Sequence, residues 1–414
     1  MPVEDPAEHE AEDRELELVV AADADGRLPG LAHVPPFGGE PALAELERAC
    51  GGSPTAQEST TTATGRGDQA SHPGAARLQA VYDKVKGLSP AQRRAKLIEL
   101  AQAEDGKFTV YGSTNVDEAE PIISAFKKLS DIEPSLYRAS SSDVLERVLQ
   151  ETKAHFANGA DVVYSNGPEM QVLDDRGLLL PLNSPYTKDL VQQTVVSKNW
   201  MPIYLNAFTA AWNTRRVTPA QAPKTWADVL DRFSGKLAME VGDWDWFATL
   251  VTQYFEKQQG MSEAQAVALF RRAAGGARMI DGHTLMTQLL ASGEFGAAAS
   301  TYKHRVARLK ADGAPIQWEP PVQPIVIRPN GVGISADTDA PASALLFADF
   351  LMTDVQKMLI GFDRTPASNA VPGGGIPPKY KVLIADLRTL NAQRQKWEDL
   401  YEQIARRSGK VIDE

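Results

Sequence analysis

Between residues 107 and 166 the chain runs three times from an apolar stretch through small polar residues into a helical spacing. Phe108-Thr109-Val110-Tyr111 gives way to Gly112-Ser113-Thr114-Asn115, after which Ala119, Ile122, Ile123 and Phe126 recur at helical period over Val116 to Lys128. Leu136-Tyr137 precedes Ser140-Ser141-Ser142-Asp143, and Val144, Leu145, Val148 and Leu149 then share one face of a helix reaching Phe156. Asp161-Val162-Val163-Tyr164 leads into Ser165-Asn166-Gly167-Pro168 and a short helix from Glu169 to Asp174, with Pro168 suited to a first turn. Ser, Asp and Asn belong at such starts because their side-chain oxygens accept the first, unpaired amides.

Strand, polar turn and helix in repetition predict an α/β fold with a parallel sheet, whose ligands gather beyond the carboxyl ends of the strands. Helix amino ends carry free N–H groups and partial positive charge, so three together suit a carboxylate, a phosphonate, a phosphate or the anion of a metal complex. One such turn alone is ordinary capping. Three in succession mark Ser113, Thr114, Asn115, Ser140, Ser141, Ser165 and Asn166 as candidate ligand-binding residues.

Two amphipathic helices, 76–86 and 90–103, precede this stretch. After it, 177–182 reads as a helix exit with a short strand, and Pro202 to Trp212 is an apolar run broken by Asn206, as in a strand passing between two lobes. Asp243-Trp244-Asp245-Trp246-Phe247 reads as a loop of two acids and three aromatics. Aromatic walls with a few polar groups make small-ligand clefts, so Asp245 and Trp246 are candidates. The alternative is that the tryptophans are core and the acids cap a helix.

At 414 residues the chain can bury a large core. Its net charge of −11 is unevenly placed: residues 1–49 hold 13 Asp/Glu against three Arg, a charge of −10, which leaves −1 for the remainder. No Lys/Arg stripe with interleaved aromatics occurs, which argues against nucleic acid as a partner. No apolar run has the length to cross a bilayer. The single cysteine, Cys50, excludes a disulfide framework and a cysteine zinc site.

Residues 1–49, rich in Glu, Asp, Ala, Pro and Gly, read as disordered. Ala49-Cys50-Gly51-Gly52-Ser53 and the Ser/Thr/Gly/Ala/Gln tract that follows, through residue 75, resemble a mature bacterial lipoprotein's lipidated cysteine and polar tether. The residues before Cys50 lack the basic head and apolar core of a signal peptide. The expectation is that Cys50 is the lipidated amino end of the native protein; the alternative is a lone cysteine in an acidic linker.

Ala211-Trp212-Asn213-Thr214, Ala222-Pro223-Lys224-Thr225-Trp226-Ala227-Asp228-Val229-Leu230 and Gly235-Lys236-Leu237-Ala238 resemble the middle of bacterial extracellular solute-binding proteins of ABC importers. The ferric-iron-binding subgroup is the nearest in kind. Leu97 to Asn115, Gly159 to Val163, Gly282-His283-Thr284 with Gly293-Glu294, and Arg328-Pro329-Asn330-Gly331 with Leu346 to Leu359 agree in order, so the resemblance spans 76–372. It implies a two-lobed type II periplasmic binding protein fold, each lobe a sheet flanked by helices and joined by crossing hinge strands. On that plan 76–204 with 328–372 form lobe one, 209–310 lobe two, 205–208 and 316–327 the hinge strands, and 378–414 a helical tail.

The resemblance also bears on Tyr302-Lys303-His304-Arg305, where the iron binders place two neighbouring tyrosines that ligate ferric ion. Only the first is matched, so Tyr302 is the candidate metal ligand, and Lys303 instead suits an anion. His283 reads as a local packing or capping residue, and His155 as a residue on a helix face with no partner nearby in sequence. No catalytic motif of the hydrolase, metalloprotease or P-loop type is present. The expected function is capture of a small anionic solute, or of Fe(3+) with a bound anion, by a monomeric periplasmic or extracellular protein that delivers it to a membrane permease. The alternatives are an enzyme on the same fold acting on a phosphorylated or heterocyclic substrate, and a solute sensor.

Overall fold

The structure, a computed structural model, describes residues 72–104, 107–154, 156, 159–233, 236–406 and 411–412. The acidic segment 1–49, Cys50, the tether through residue 71 and His155 lie outside the described residues.

The first lobe opens with α1 (Pro73–Val85) and α2 (Pro90–Gln102). Then come β1 (Thr109–Gly112), α3 (Val116–Ser130), β2 (Ser135–Arg138), α4 (Ser141–Lys153), β3 (Val162–Asn166) and α5 (Gly167–Asp175). The short β4 (Leu179–Leu180) precedes β5 (Trp200–Asn213), a strand of 14 residues, every one of them buried. The second lobe contains α6 (Trp226–Arg232), β6 (Leu237–Glu240), α7 (Trp244–Thr249), a π-helical continuation (Leu250–Glu256) and α8 (Glu263–Ala274). It continues through β7 (Arg278–Ile280), α9 (His283–Ser292), β8 (Ala297–Tyr302), α10 (Lys303–Ala311) and β9 (Ile316–Gln317). The chain returns on β10 (Ile325–Ser335) to α11 (Pro341–Met352), α12 (Asp354–Gly361) and β11 (Thr365–Pro366). It ends with β12 (Val382–Ile384), α13 (Leu387–Ala392), α14 (Arg394–Arg406) and β13 (Val411–Ile412).

The strands lie in the order β13-β7-β6-β8-β5-β10-β3-β1-β2. β1 pairs in parallel with β2 and β3, and β6 in parallel with β7 and β8, so each lobe has the parallel sheet that its strand, turn and helix pattern requires. β5 and β10 join the lobes as an antiparallel pair. The first half of β5 runs beside β10, and its second half, from Phe208, pairs with β8. At their contact the register shifts between Asn330 and Gly331, and Ile203 is the extra residue on β5. A Cβ on Gly331 would sit 2.4 Å from Trp200 Cε3, so only glycine lets the indole lie against the strand.

The return crossing begins later than the expected 316–327. Ile316–Gln317 pairs with the end of β5 inside lobe two, and the crossing proper is β10. Prolines 320, 321 and 324 explain the delay: they have no N–H to donate, so ladder pairing resumes only at Ile325. The tail is helical in α13 and α14, but its β12 also pairs with β10. Its helices touch both lobes: Asn391 Nδ2 donates to Pro168 O at 2.8 Å, and Tyr401 Oη donates to Glu240 O at 2.7 Å. Aromatic clusters fill the layers between sheet and helices. Phe108, Phe126, Phe347 and Phe350 pack edge to face on one side, and Trp226, Trp246, Phe247 and Phe270 on the other.

Candidate functional site

The carboxyl ends of β1, β3, β6 and β8 and the crossing of β5 with β10 bring their polar residues together. In lobe one, Ser165 Oγ donates to Ser113 Oγ at 3.4 Å, and Asn330 Nδ2 reaches Ser113 Oγ at 3.5 Å and Asn166 Oδ1 at 3.2 Å. Asn206 Nδ2 donates to the same Asn166 oxygen at 3.2 Å. Thr114 is buried and shares a hydrogen bond with Tyr204 Oη. Asn115 accepts from Arg138 and donates to Thr284 Oγ1 of lobe two at 3.4 Å.

Asn115 and Asn166 stand at the N-cap positions of α3 and α5, yet neither side chain caps its helix. Their sequence look-alikes do cap: Ser140 accepts from Asp143 N on α4, and Ser262 from Gln265 N on α8, while α1, α11 and α12 also begin without a side-chain cap. The amino ends of α3 and α5 therefore leave their leading N–H groups to other partners. Ser140, exposed, and Ser141, half-buried, belong to the α4 start; Ser140 bonds Ser142 and Asp143 and not the Ser113 network.

Two buried arginines cross the floor. Arg364 donates to Glu118 Oε2 at 2.8 Å and to Asn206 Oδ1 at 2.9 Å, with its guanidinium over the Tyr204 ring. Arg328 donates to Asp245 Oδ1 at 2.9 Å and to Tyr302 Oη, and its Nε has no acceptor. Burial works against its charge, but Asp245, Tyr302 and Asp243 hold the guanidinium well above its ordinary range.

Lobe two contributes Glu240, Asp243, His283 and Tyr302. His283 Nε2 lies 3.0 Å from Asp243 Oδ2, and its ring stacks on Tyr302 with centroids 3.8 Å apart. Burial raises the carboxyls of Glu240 and Asp243; Asp243 adds to the shift of Glu240, and for Asp243 itself Arg328 opposes the shift while Asp245 adds to it. Burial also drives the Tyr302 phenol far above its ordinary range, although Arg328 opposes the shift. His304 is buried and held well below its ordinary range by that burial and by Arg364 and Arg305. Lys303 is half-buried, its ammonium lowered by burial, and its charged neighbours are Asp363, Glu319 and Lys379.

Asp243 to Phe247 is the start of α7 and not a loop, because Asp243 ends the turn after β6 as N-cap. Trp246 is fully buried, edge-on to Trp226 and Phe270, while Asp245 faces Arg328. The residues that sequence reasoning did not select are Arg328, Asn330, Arg364, Glu118 and Glu240. Two had a signal: Arg328 and Asn330 are a charge and an amide inside an otherwise apolar strand.

A separate cavity of about 570 Å³ lies at the amino ends of β6, β7 and β8, opposite the cluster, lined by Arg216, Arg232, Lys236, Arg278 and Glu294 among others. Its cations are surface groups, and Arg278 is already paired with Glu294 at 3.1 Å. The chemistry is concentrated where the strands end, as the parallel arrangement requires.

No curated protein matches the sequence. Solved structures do match the fold. Iron-bound HitA from Pseudomonas aeruginosa aligns with a TM-score of 0.59 at 15% identity, over 72% of this chain and 99% of that one. The ferric binding protein from Campylobacter jejuni aligns at 0.61 and 17%, over 72% and 99%. The periplasmic binding protein AfuA from Actinobacillus pleuropneumoniae, with fructose-6-phosphate bound, aligns at 0.61 and 18%, over 72% and 98%. The fold is therefore that of type II periplasmic binding proteins. Residues 122–372, more than half of the sequence, match the family described as Bacterial extracellular solute-binding protein. With two parallel strand sets joined through crossing strands into one sheet and polar groups gathered where they meet, the chain belongs to the bacterial extracellular solute-binding proteins.

Proposed function

We propose that this protein is the substrate-binding component of an ABC import system. It closes its lobes over a small anionic solute outside the cytoplasm and passes it, as a monomer, to a membrane permease. Lipidation of Cys50 would keep it beside that permease. One observation carries the anionic reading: the uncapped amino ends of α3 and α5 meet at a network of the buried Ser165 and Asn330 with the half-buried Ser113 and Asn166. Free helix N–H groups beside neutral hydroxyls and amides favour a negative group without a full opposing charge. The unpaired Arg328 Nε is a further buried donor that an anion would satisfy.

Ferric ion bound through phenolates fits less well. Tyr302 is the phenol at that position, its oxygen accepts from Arg328, and Lys303 and His304 follow it. Ferric iron favours anionic oxygen, so a single phenol held neutral is a weak start.

The test is to purify the protein natively, denature it, and identify the released small molecule by mass spectrometry and metal analysis. Asn166→Asp places a carboxylate at the α5 amino end and is expected to abolish retention while the fold, read by circular dichroism, is kept. Equal retention by Asn166→Asp, or a released solute with no acidic group, would overturn the reading.

A further inference from the structure

Glu240, Asp243 and His283 form a cluster in lobe two that the anion reading does not use. They come from two turns: Glu240 and Asp243 flank the one between β6 and α7, and His283 is the first residue of α9. One ligand atom from each lies within 4.8 Å of the other two. We propose that these three side chains bind a divalent first-row metal ion, zinc being the best fit, with its remaining coordination position turned toward lobe one.

The donor set is two carboxylates and one imidazole, which zinc accepts at about 2.0–2.2 Å, commonly with three protein ligands and one open position. Tetrahedral bonds of that length put ligand atoms roughly 3.4 Å apart. The widest pair therefore needs to close by on the order of 1 Å, within the reach of side-chain torsions. The His283 to Asp243 contact of 3.0 Å already has the required proximity.

A second, independent observation points to a cation. Asp243 is fully buried, and its Oδ1 accepts no hydrogen bond. The nearest guanidinium nitrogen, Arg328 Nη1, stands 3.8 Å away and is committed to Asp245 Oδ1 at 2.9 Å. Glu240 accepts backbone N–H bonds from Gly242 at 2.7 Å and Gly282 at 3.3 Å, which orient its carboxylate and leave lone pairs on both oxygens. Such outer bonds commonly fix metal-ligating carboxylates. Among the described residues the two buried carboxyls thus have no cation to themselves, and a metal ion that displaced their protons would supply one.

The geometry also sets the open position. Thr284, next to His283, accepts a hydrogen bond from Asn115 at the uncapped α3 amino end of lobe one. A metal in lobe two would therefore face that amino end across the cleft. The donor set differs from a phenolate pair: it contains imidazole and no ionised tyrosine, which favours a borderline divalent ion over ferric iron. The site stands on lobe two alone, so it holds or fails separately from solute capture by lobe one.

The test uses the full chain, freed of metal by a chelator and dialysed. Zinc chloride titrated by calorimetry is expected to bind at one equivalent per chain and raise the melting temperature. X-ray absorption of the zinc form is expected to show a shell of nitrogen and oxygen only, with the outer scattering of one imidazole. Asp243→Asn and His283→Gln are each expected to weaken zinc at least tenfold. Absence of a bound equivalent, undiminished affinity in both variants, or a larger thermal shift from ferric citrate than from zinc would overturn the assignment. Should a variant fail to fold, the absorption spectrum of the unaltered protein decides: a shell without imidazole counts against the site.

Discussion

Arg305 on α10 gives the sharpest handle on closure. Its guanidinium lies 3.5 Å from Asp117 and 3.6 Å from Glu118, both on α3 of the other lobe, and its side chain is 11% exposed. Two unit charges at that distance attract by about 4.6 kcal/mol at an effective dielectric constant near 20. Desolvation and side-chain entropy remove much of this, leaving a net on the order of 1–2 kcal/mol for a partly buried pair. Arg308 reaches the same Asp117 at 3.4 Å, but both partners are nearly half exposed, so roughly 0–1 kcal/mol is the measure of that contact. Arg305→Gln should therefore lower the closed-to-open ratio about tenfold, since about 1.4 kcal/mol is a factor of ten, and Arg308→Gln by less than about fivefold. Small-angle scattering of the solute-free protein reads the change as a larger radius of gyration, and stopped-flow release reads it as faster solute loss. The difference between wild type and Arg305→Gln should shrink less with salt than that of Arg308→Gln, because the more buried pair is less screened. An unchanged radius and release rate in Arg305→Gln, or a larger effect from Arg308→Gln, would refute closure through this contact.

Other outcomes follow from the same geometry. Burial pushes the carboxyl of Asp243 up to about 8 and that of Glu240 up to about 7, so the folded metal-free protein holds protons that the unfolded chain gives up near pH 4. Its stability should be greatest below that range, fall as pH rises through about 8, and level off above; Asp243→Asn should flatten the slope in urea melts at successive pH values. Gly331→Ala drives a methyl against Trp200 and should lose roughly 1–3 kcal/mol or more by urea unfolding. Trp246→Ala should lose roughly 3–5 kcal/mol of stability, while the folded fraction keeps its solute affinity, because the indole packs between Trp226 and Phe270. Ser140→Ala should remove about 1 kcal/mol as a lost helix cap, and an equal solute affinity by calorimetry would assign it to that role alone.

The first lobe was legible because its elements obey local rules. α3, α4 and α5 start within a few residues of the hydroxyl and amide turns, and β1 and β3 are short apolar runs between them. β8 was not legible: Ala297-Ala298-Ala299-Ser300-Thr301 has the composition of a helix, and only close neighbours on both sides make small residues suit a central strand. The cluster was legible only in part. Ser113 and Asn166 announced themselves as residues that begin helices, but whether such a residue caps its helix or leaves the amides free depends on what faces it. Ser140 and Asn166 look alike in the sequence, and Asn330 and Asn206, which occupy the Asn166 oxygen, are 164 and 40 residues away. The same holds for Glu118, whose partner Arg364 is 246 residues distant.

The pairing of β5 with β10 links the site to the hinge. In the ladder Arg328 stands opposite Asn206, at the point where β5 leaves its lobe-one neighbours and takes up β8. Any rotation of the lobes must twist the backbone near these two residues. Their side chains also hold the cluster from both sides: Asn206 bonds Asn166 and Arg364 in lobe one, and Arg328 bonds Asp245 and Tyr302 in lobe two. A solute that attracts Arg328 Nε, or replaces Asn206 at the Asn166 oxygen, therefore acts on the hinge directly and needs no relay through either lobe. The tail narrows the permitted motion. Asn391 is tied to Pro168 of lobe one and Tyr401 to Glu240 of lobe two, with Arg394 3.6 Å from Glu169. An opening that pulled these ends apart would break the tail's contacts to one lobe, either the Tyr401 hydrogen bond or the Asn391 hydrogen bond with the Arg394 ion pair, roughly 1–2 kcal/mol. An opening that keeps the tail contacts must still part Arg305 from Asp117 and Glu118, which join the two lobes, to admit the solute.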